Sequence, residues 1–182
     1  MKEFFEYSQI ELHFFSLELN SFQVVNISHN TFPDLKLLDA IHMTCALPIV
    51  ISPVCIDGKC YVDGGVVYNY PLCFCLEEQI IDGEKEKEDE ILAFKNDYIL
   101  ESDSTMVKGE STILDYMMIF MNKLIMNVDT EGKQKRLKNE IVCKTIPIGL
   151  HTLRSALYSA EFRLELLNEG IQSGVDFLEN LG

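Results

Sequence analysis

The sequence is short of positive charge. Lysine and arginine number 15 against 29 aspartates and glutamates, a net charge of −14 over 182 residues. Such a chain repels nucleic-acid phosphates and anionic lipid surfaces over long range, so a nucleic-acid partner is not expected, although local contact with lipid is not forbidden. The sequence also lacks any uncharged apolar run of the roughly 18 residues that a membrane-spanning helix needs. Its first residues, "MKEFFEYSQIELHFF", have no basic region followed by a clean apolar core, so no secretory signal is read. The expected compartment is the cytoplasm, with peripheral membrane contact left open. Among the six cysteines (Cys45, Cys55, Cys60, Cys73, Cys75 and Cys143) there is no Cys-x-x-Cys pair, and no histidine stands at finger spacing. A structural zinc site is therefore not expected. In a reducing cytosol these cysteines are expected to be small core residues. No internal repeat is visible.

What is present supports one folded domain, residues 1–182. The length suits a single domain that buries most of its unfolded surface, and 47% hydrophobic residues exclude a disordered chain. Residues 9–28 alternate apolar and polar in two halves around Asn20-Ser21, which reads as a hairpin. From Pro33, "PDLKLLDAIHMTCAL" places Leu37, Leu38, Ala40 and Ile41 on helical spacing, with Pro33 and Asp34 suiting a helix start and Pro48 its end. "IVISPVCI" reads as extended, with Pro53 arguing for an edge strand. Asp57 to Lys59 is a hairpin turn, and "CYVDGG" the returning arm. The charge run 82–90 reads as solvated, without the ligand pattern of a calcium loop. "ILAFK" is a short strand and residues 101–112 a loop. The methionine-rich helix Ile113–Val128 is expected in a core or interface. "EIVCKTIPIG" is a strand, and a closing amphipathic helix follows Ser159 as N-cap. Loosely alternating strands and helices favour an α/β class.

The stretch "CYVDGGVVYNYPL", residues 60–72, contains Gly64-Gly65, the one adjacent glycine pair of the chain. Glycine tolerates positive φ and lets other backbone approach closely. A carboxylate on a glycine turn at a strand tip has two readings: an ordinary turn, Asp-Gly being a common turn dipeptide, or a positioned catalytic base.

The surrounding order decides which reading to follow. Residues 37–72 carry Thr44-Cys45-Ala46-Leu47-Pro48, then Pro53-Val54, Asp57-Gly58, Tyr61-Val62-Asp63-Gly64-Gly65 and Asn69-Tyr70-Pro71. In order and spacing this resembles the segment around the catalytic aspartate of patatin-like phospholipases. Residues 166–178 are similar, weakly, to that family's terminal helix, so the resemblance runs unevenly over most of the chain. The resemblance implies a three-layer α/β/α fold and a lipid acyl hydrolase that cleaves phospholipid-type esters with a Ser-Asp dyad and no cofactor. Asp63 would be the base, with Gly64 and Gly65 shaping its turn.

The family's other half is missing. Its nucleophile sits on a Gly-x-Ser-x-Gly elbow and its oxyanion hole in a glycine-rich loop, both upstream of the aspartate. Neither is in this sequence. The nearest match, Gly109-Glu110-Ser111-Thr112-Ile113, lacks the second glycine and follows Asp63. His13, His29, His42 and His151 lie in no recognisable motif. The resemblance therefore implies an incomplete domain, the C-terminal portion, with no nucleophile of its own. Its expected partners are a lipid or phospholipid ester and a companion chain carrying the nucleophile half. The alternative is a catalytically inactive remnant that binds lipid or a protein.

Overall fold

A computed structural model describes residues 1–81, 88–98, 106–128, 137–145 and 149–180. The chain divides into two compact units: Met1–Pro71 with Leu124–Gly132, and Leu72–Lys123 with Lys133–Gly182. The mixed α/β class holds in both.

The first unit opens with helix α1 (Lys2–Ser8), followed by strands β1 (Phe14–Glu18) and β2 (Gln23–Ile27). These form the expected hairpin, with Phe14 opposite Ile27 and Glu18 opposite Gln23. Glu18 closes the turn: its carboxylate accepts from the Asn20 and Ser21 N–H groups, each at 2.9 Å, and from the Ser21 hydroxyl. That hydroxyl, then those amides, hold its pKa below the usual carboxylate range.

Helix α2 (Leu37–Cys45) starts four residues later than Pro33 suggests. Residues 33–36 are held in a turn instead, since the Pro33 carbonyl accepts from the Lys2 N–H at 3.0 Å and the Phe32 carbonyl from Leu35 N–H at 3.2 Å. The extended reading of residues 49–56 is also too long. Leu47 closes a turn by accepting from Val50 and Ile51, Ile49 takes φ 77°, and strand β3 covers only Val54–Ile56. β3 pairs with β4 (Lys59–Asp63) across Asp57-Gly58, both at positive φ (51° and 76°), which is the geometry of a two-residue hairpin turn.

The four strands make one antiparallel sheet in the order β2-β1-β4-β3. β3 is an edge strand, as Pro53 suggests. Helix α2 packs on β1 and β4. Ile27, Ala40, Met43 and Tyr61 form the buried cluster between them, flanked by Phe14, Val25, Val54 and Ile56.

The cysteines depart from expectation, since none is fully buried. Cys55 and Cys60 are a register pair joined by a disulfide across β3 and β4, and Cys45 and Cys75 are exposed.

The second unit contains α3 (Leu72–Ile81), a single 3₁₀ turn at Glu88–Glu90, β5 (Ala93–Tyr98), most of α4 (Ile113–Val128), β6 (Glu140–Thr145), α5 (Leu150–Tyr158) and α6 (Ala160–Asn180). β5 and β6 pair in parallel, and α6 lies against β6. The expected strand at 140–149 ends at Thr145 within the described residues, and most of the charge run 82–90 lies outside them. Ser159 is the N-cap of α6, its hydroxyl accepting from the Phe162 N–H at 3.1 Å. Among the described side chains of α4 only Met118 is buried, while Ile113, Tyr116, Met117 and Phe120 are exposed, so a core role for that helix does not hold. Among the described residues no helix is long and apolar enough to cross a membrane.

Candidate active site

Asp63 is the last residue of β4, at the point where the chain leaves the sheet. Side-chain alternation puts it on the same face as Tyr61, with Ser16 of β1 directly opposite. Its own N–H donates to the Ala46 carbonyl at 3.1 Å, which ties the strand end to the residue just past α2. The small residues before Pro48 therefore have a structural use: they let the end of α2 approach β4.

The two glycines act through space rather than through unusual φ. They begin a 3₁₀ turn, Gly64–Val66, and neither has positive φ. A Cβ on Gly64 would lie 2.6 Å from the Phe15 carbonyl oxygen, inside any real contact distance. A Cβ on Gly65 would lie 3.1 Å from Asp63 Oδ1 and 3.3 Å from Asn69 Oδ1. The first glycine thus lets the turn run against β1, and the second leaves room beside the carboxylate. The Gly64 carbonyl accepts from both Val67 and Tyr68 at 3.0 Å, which closes the turn.

Asp63 caps this turn. Its Oδ1 accepts from the Gly65 N–H at 2.8 Å, and among the described residues that is the only hydrogen bond shown on the carboxylate. Burial pushes its pKa above the ordinary aspartate value, and the Gly65 amide offsets part of that rise. A half-buried carboxylate with one anchored oxygen is a better proton acceptor than a solvated one, because its basicity is raised while its orientation is fixed.

Ser16 stands opposite Asp63 but is not a nucleophile. It is wholly buried, and its hydroxyl donates to the Val62 carbonyl at 2.5 Å, with the Met43 carbonyl at 3.2 Å. One hydroxyl has one proton, and a backbone carbonyl takes it. Thr44 makes a second such tie, donating to the Phe15 carbonyl at 2.8 Å. Together these hydroxyls stitch α2, β1 and β4 behind Asp63. Sequence reasoning missed both, because an isolated serine or threonine in an apolar run has no signature.

Two of the other candidates meet at one carboxylate: His13 Nε2 lies 3.5 Å and His29 Nδ1 3.3 Å from Glu11 Oε1. Ser111 lies in the second unit, where its hydroxyl accepts from the Lys108 N–H at 2.9 Å in a local turn and not on a strand-to-helix elbow. His42 is exposed on α2, and His13 lies 3.0 Å from Asn26 Oδ1 through its Nδ1. His29 stacks on Phe5. Among the described residues no group of three His, Cys, Asp or Glu side chains is placed to hold a metal ion.

Residues 2–73 match the family model of patatin-like phospholipases. The match covers less than half of the chain, which over that segment is similar to patatin-like phospholipases. A stretch of 45 residues is 31% identical to "Probable lipid hydrolase 463L" of Invertebrate iridescent virus 6, covering 25% of this chain and 16% of that protein. The chain therefore spans a small part of the relative it matches. One expectation needs correction. The match lies at the N-terminal end of this chain, which conflicts with reading all 182 residues as the C-terminal portion of the family domain.

Proposed function

We propose that this chain contributes the base of a Ser-Asp dyad to a lipid acyl hydrolase. The observation that carries the proposal is Asp63 itself: a half-buried carboxylate at a strand end, one oxygen anchored on Gly65, on a turn that Gly64 packs against β1. In the reaction, a serine hydroxyl attacks the ester carbonyl of a phospholipid or related lipid while Asp63 accepts its proton. The tetrahedral oxyanion then needs backbone N–H donors. Serine and donors come from polypeptide outside these 182 residues, either the same gene product or a companion chain. The assembled domain takes the three-layer α/β/α patatin-like arrangement, with this chain as its Asp-Gly-Gly part. No metal or organic cofactor is called for, since the dyad is complete in protein groups. The family match and the name of the viral relative, a probable lipid hydrolase, support the same substrate class.

A second reading has one observation in its favour: Asp63 also serves as the cap of its own turn. On that reading the chain is an inactive remnant that binds lipid or a protein, and the aspartate is kept for the turn alone.

Ester hydrolysis separates the two. The 182-residue chain alone should show no turnover of a short-chain ester, because a base without its nucleophile has no covalent route. Reconstitution with a polypeptide bearing a glycine-rich loop and Gly-x-Ser-x-Gly should restore it. Turnover by the chain alone would refute the dyad assignment, and none after reconstitution would favour the remnant.

A further inference from the structure

We propose that Cys55 and Cys60 form a reversible redox site, opened by small-molecule thiols, that clips the edge hairpin β3–β4. This proposal is independent of the role given to Asp63.

The hairpin brings the two sulfurs together before any oxidation. With a two-residue turn at Asp57-Gly58, Ile56 and Lys59 are the closing hydrogen-bonded pair. Cys55 and Cys60 are then the next, non-hydrogen-bonded pair, the position where opposed side chains approach most closely. Their Cα atoms are 4.1 Å apart.

The same alternation makes the site reachable. Val54 and Ile56 pack against the buried cluster, whereas Cys55 between them points away and is exposed. An external thiolate can therefore attack without unfolding the unit. Both states can also remain folded, since the anchoring of β3 by Val54 and Ile56 and the turn at Asp57-Gly58 do not depend on the disulfide. The other four cysteines carry no disulfide, so the pairing is selective for this hairpin.

The chemistry balances. A thiolate attacks Cys55 Sγ, the S–S bond breaks, and Cys60 leaves as a thiolate. A second external thiol displaces the first from Cys55. Two external thiols are oxidised to one external disulfide, and two electrons and two protons pass to Cys55 and Cys60. Opening the clip leaves β3, a three-residue edge strand, held only by its backbone pairs and the two inward side chains. Cys60 is three residues before Asp63 on the same strand.

The test is a redox titration of the intact native chain in mixtures of reduced and oxidised glutathione. Each sample is quenched, denatured, alkylated and weighed. Four alkylated thiols are expected at the oxidising end and six at the reducing end, and five at every ratio for Cys55→Ser. Amide exchange at Val54 and Tyr61 should be about tenfold faster in the reduced chain, with α2 unchanged. Six thiols at the oxidising end would overturn the proposal. So would a disulfide that resists reduction until denaturant is added, or identical exchange in the two states.

Discussion

In the first unit α2 lies across a four-stranded sheet and buries Ala40 and Met43 completely, whereas α6 in the second unit, more than twice as long, buries no residue at all. The two helices look alike in sequence, each with apolar residues on helical spacing. They differ in what they meet. α2 finds a sheet whose four strands are all paired, and hydroxyls from Ser16 and Thr44 bond across the junctions. α6 meets a two-stranded parallel sheet, a pairing that ordinarily depends on covered faces. Leu164, Leu167, Ile171 and Leu178 stay exposed along it. The family match ends at residue 73 and the first stretch of the packed unit at Pro71. Family likeness and close packing thus share a boundary.

Substitutions can break or sharpen this contrast. The chain has no tryptophan, so far-ultraviolet circular dichroism during denaturant unfolding is the suitable readout. The largest effect belongs to Met43→Ala, which leaves a void in a fully buried position and should cost about 2–5 kcal/mol. Gly64→Ala comes next. Its methyl would meet the Phe15 carbonyl at 2.6 Å, and moving β1 or the turn should cost about 1–3 kcal/mol. Ser16→Ala removes one buried hydroxyl tie and should cost about 1 kcal/mol. Ile171→Ala, on the exposed side of α6, should stay within about 0.5 kcal/mol. A loss at Ile171 as large as that at Met43 would dissolve the contrast between the units.

The smallest effect is a pH dependence. Burial raises the pKa of Asp63 in the folded chain above its unfolded value, near 3.8. Between the two values the folded state binds more protons than the unfolded state, so stability falls as pH rises through that window. Below the unfolded value the contribution is fully present, and above the folded value it is lost. Asp63→Asn removes this loss while keeping an acceptor for Gly65. The variant should therefore gain on wild type as pH rises from about 4 towards neutrality. Parallel stability curves would contradict the burial of that carboxylate.

Much of this was legible in the sequence, because local chemistry dictated it. The β1–β2 hairpin follows from alternation around Asn20-Ser21, the Asp57-Gly58 turn from residues that accept positive φ, and the start of α6 from Ser159. Asp63, Gly64 and Gly65 were found through the order of motifs, and their local geometry is compatible with the role inferred. The misses come from contacts that those patterns do not encode. Pro33 suits a helix start, but hydrogen bonds to α1 and within the turn hold residues 33–36 outside the helix. The cysteines suit a core, but the two-residue turn sets Cys55 opposite Cys60 on an outward face. Ser16 and Thr44 reveal their part only when α2, β1 and β4 are brought together, since neither is near Asp63 in the chain.

The most direct test of Asp63 as a base is phospholipid ester hydrolysis by this chain reconstituted with a Gly-x-Ser-x-Gly polypeptide, wild type beside Asp63→Asn. Asparagine keeps the cap on Gly65 but cannot accept the serine proton. A loss of about 10²–10⁴-fold in kcat, with vesicle binding and folding preserved, is the expected result. Hydrolysis at the wild-type rate by Asp63→Asn would show that the aspartate holds a turn and nothing more.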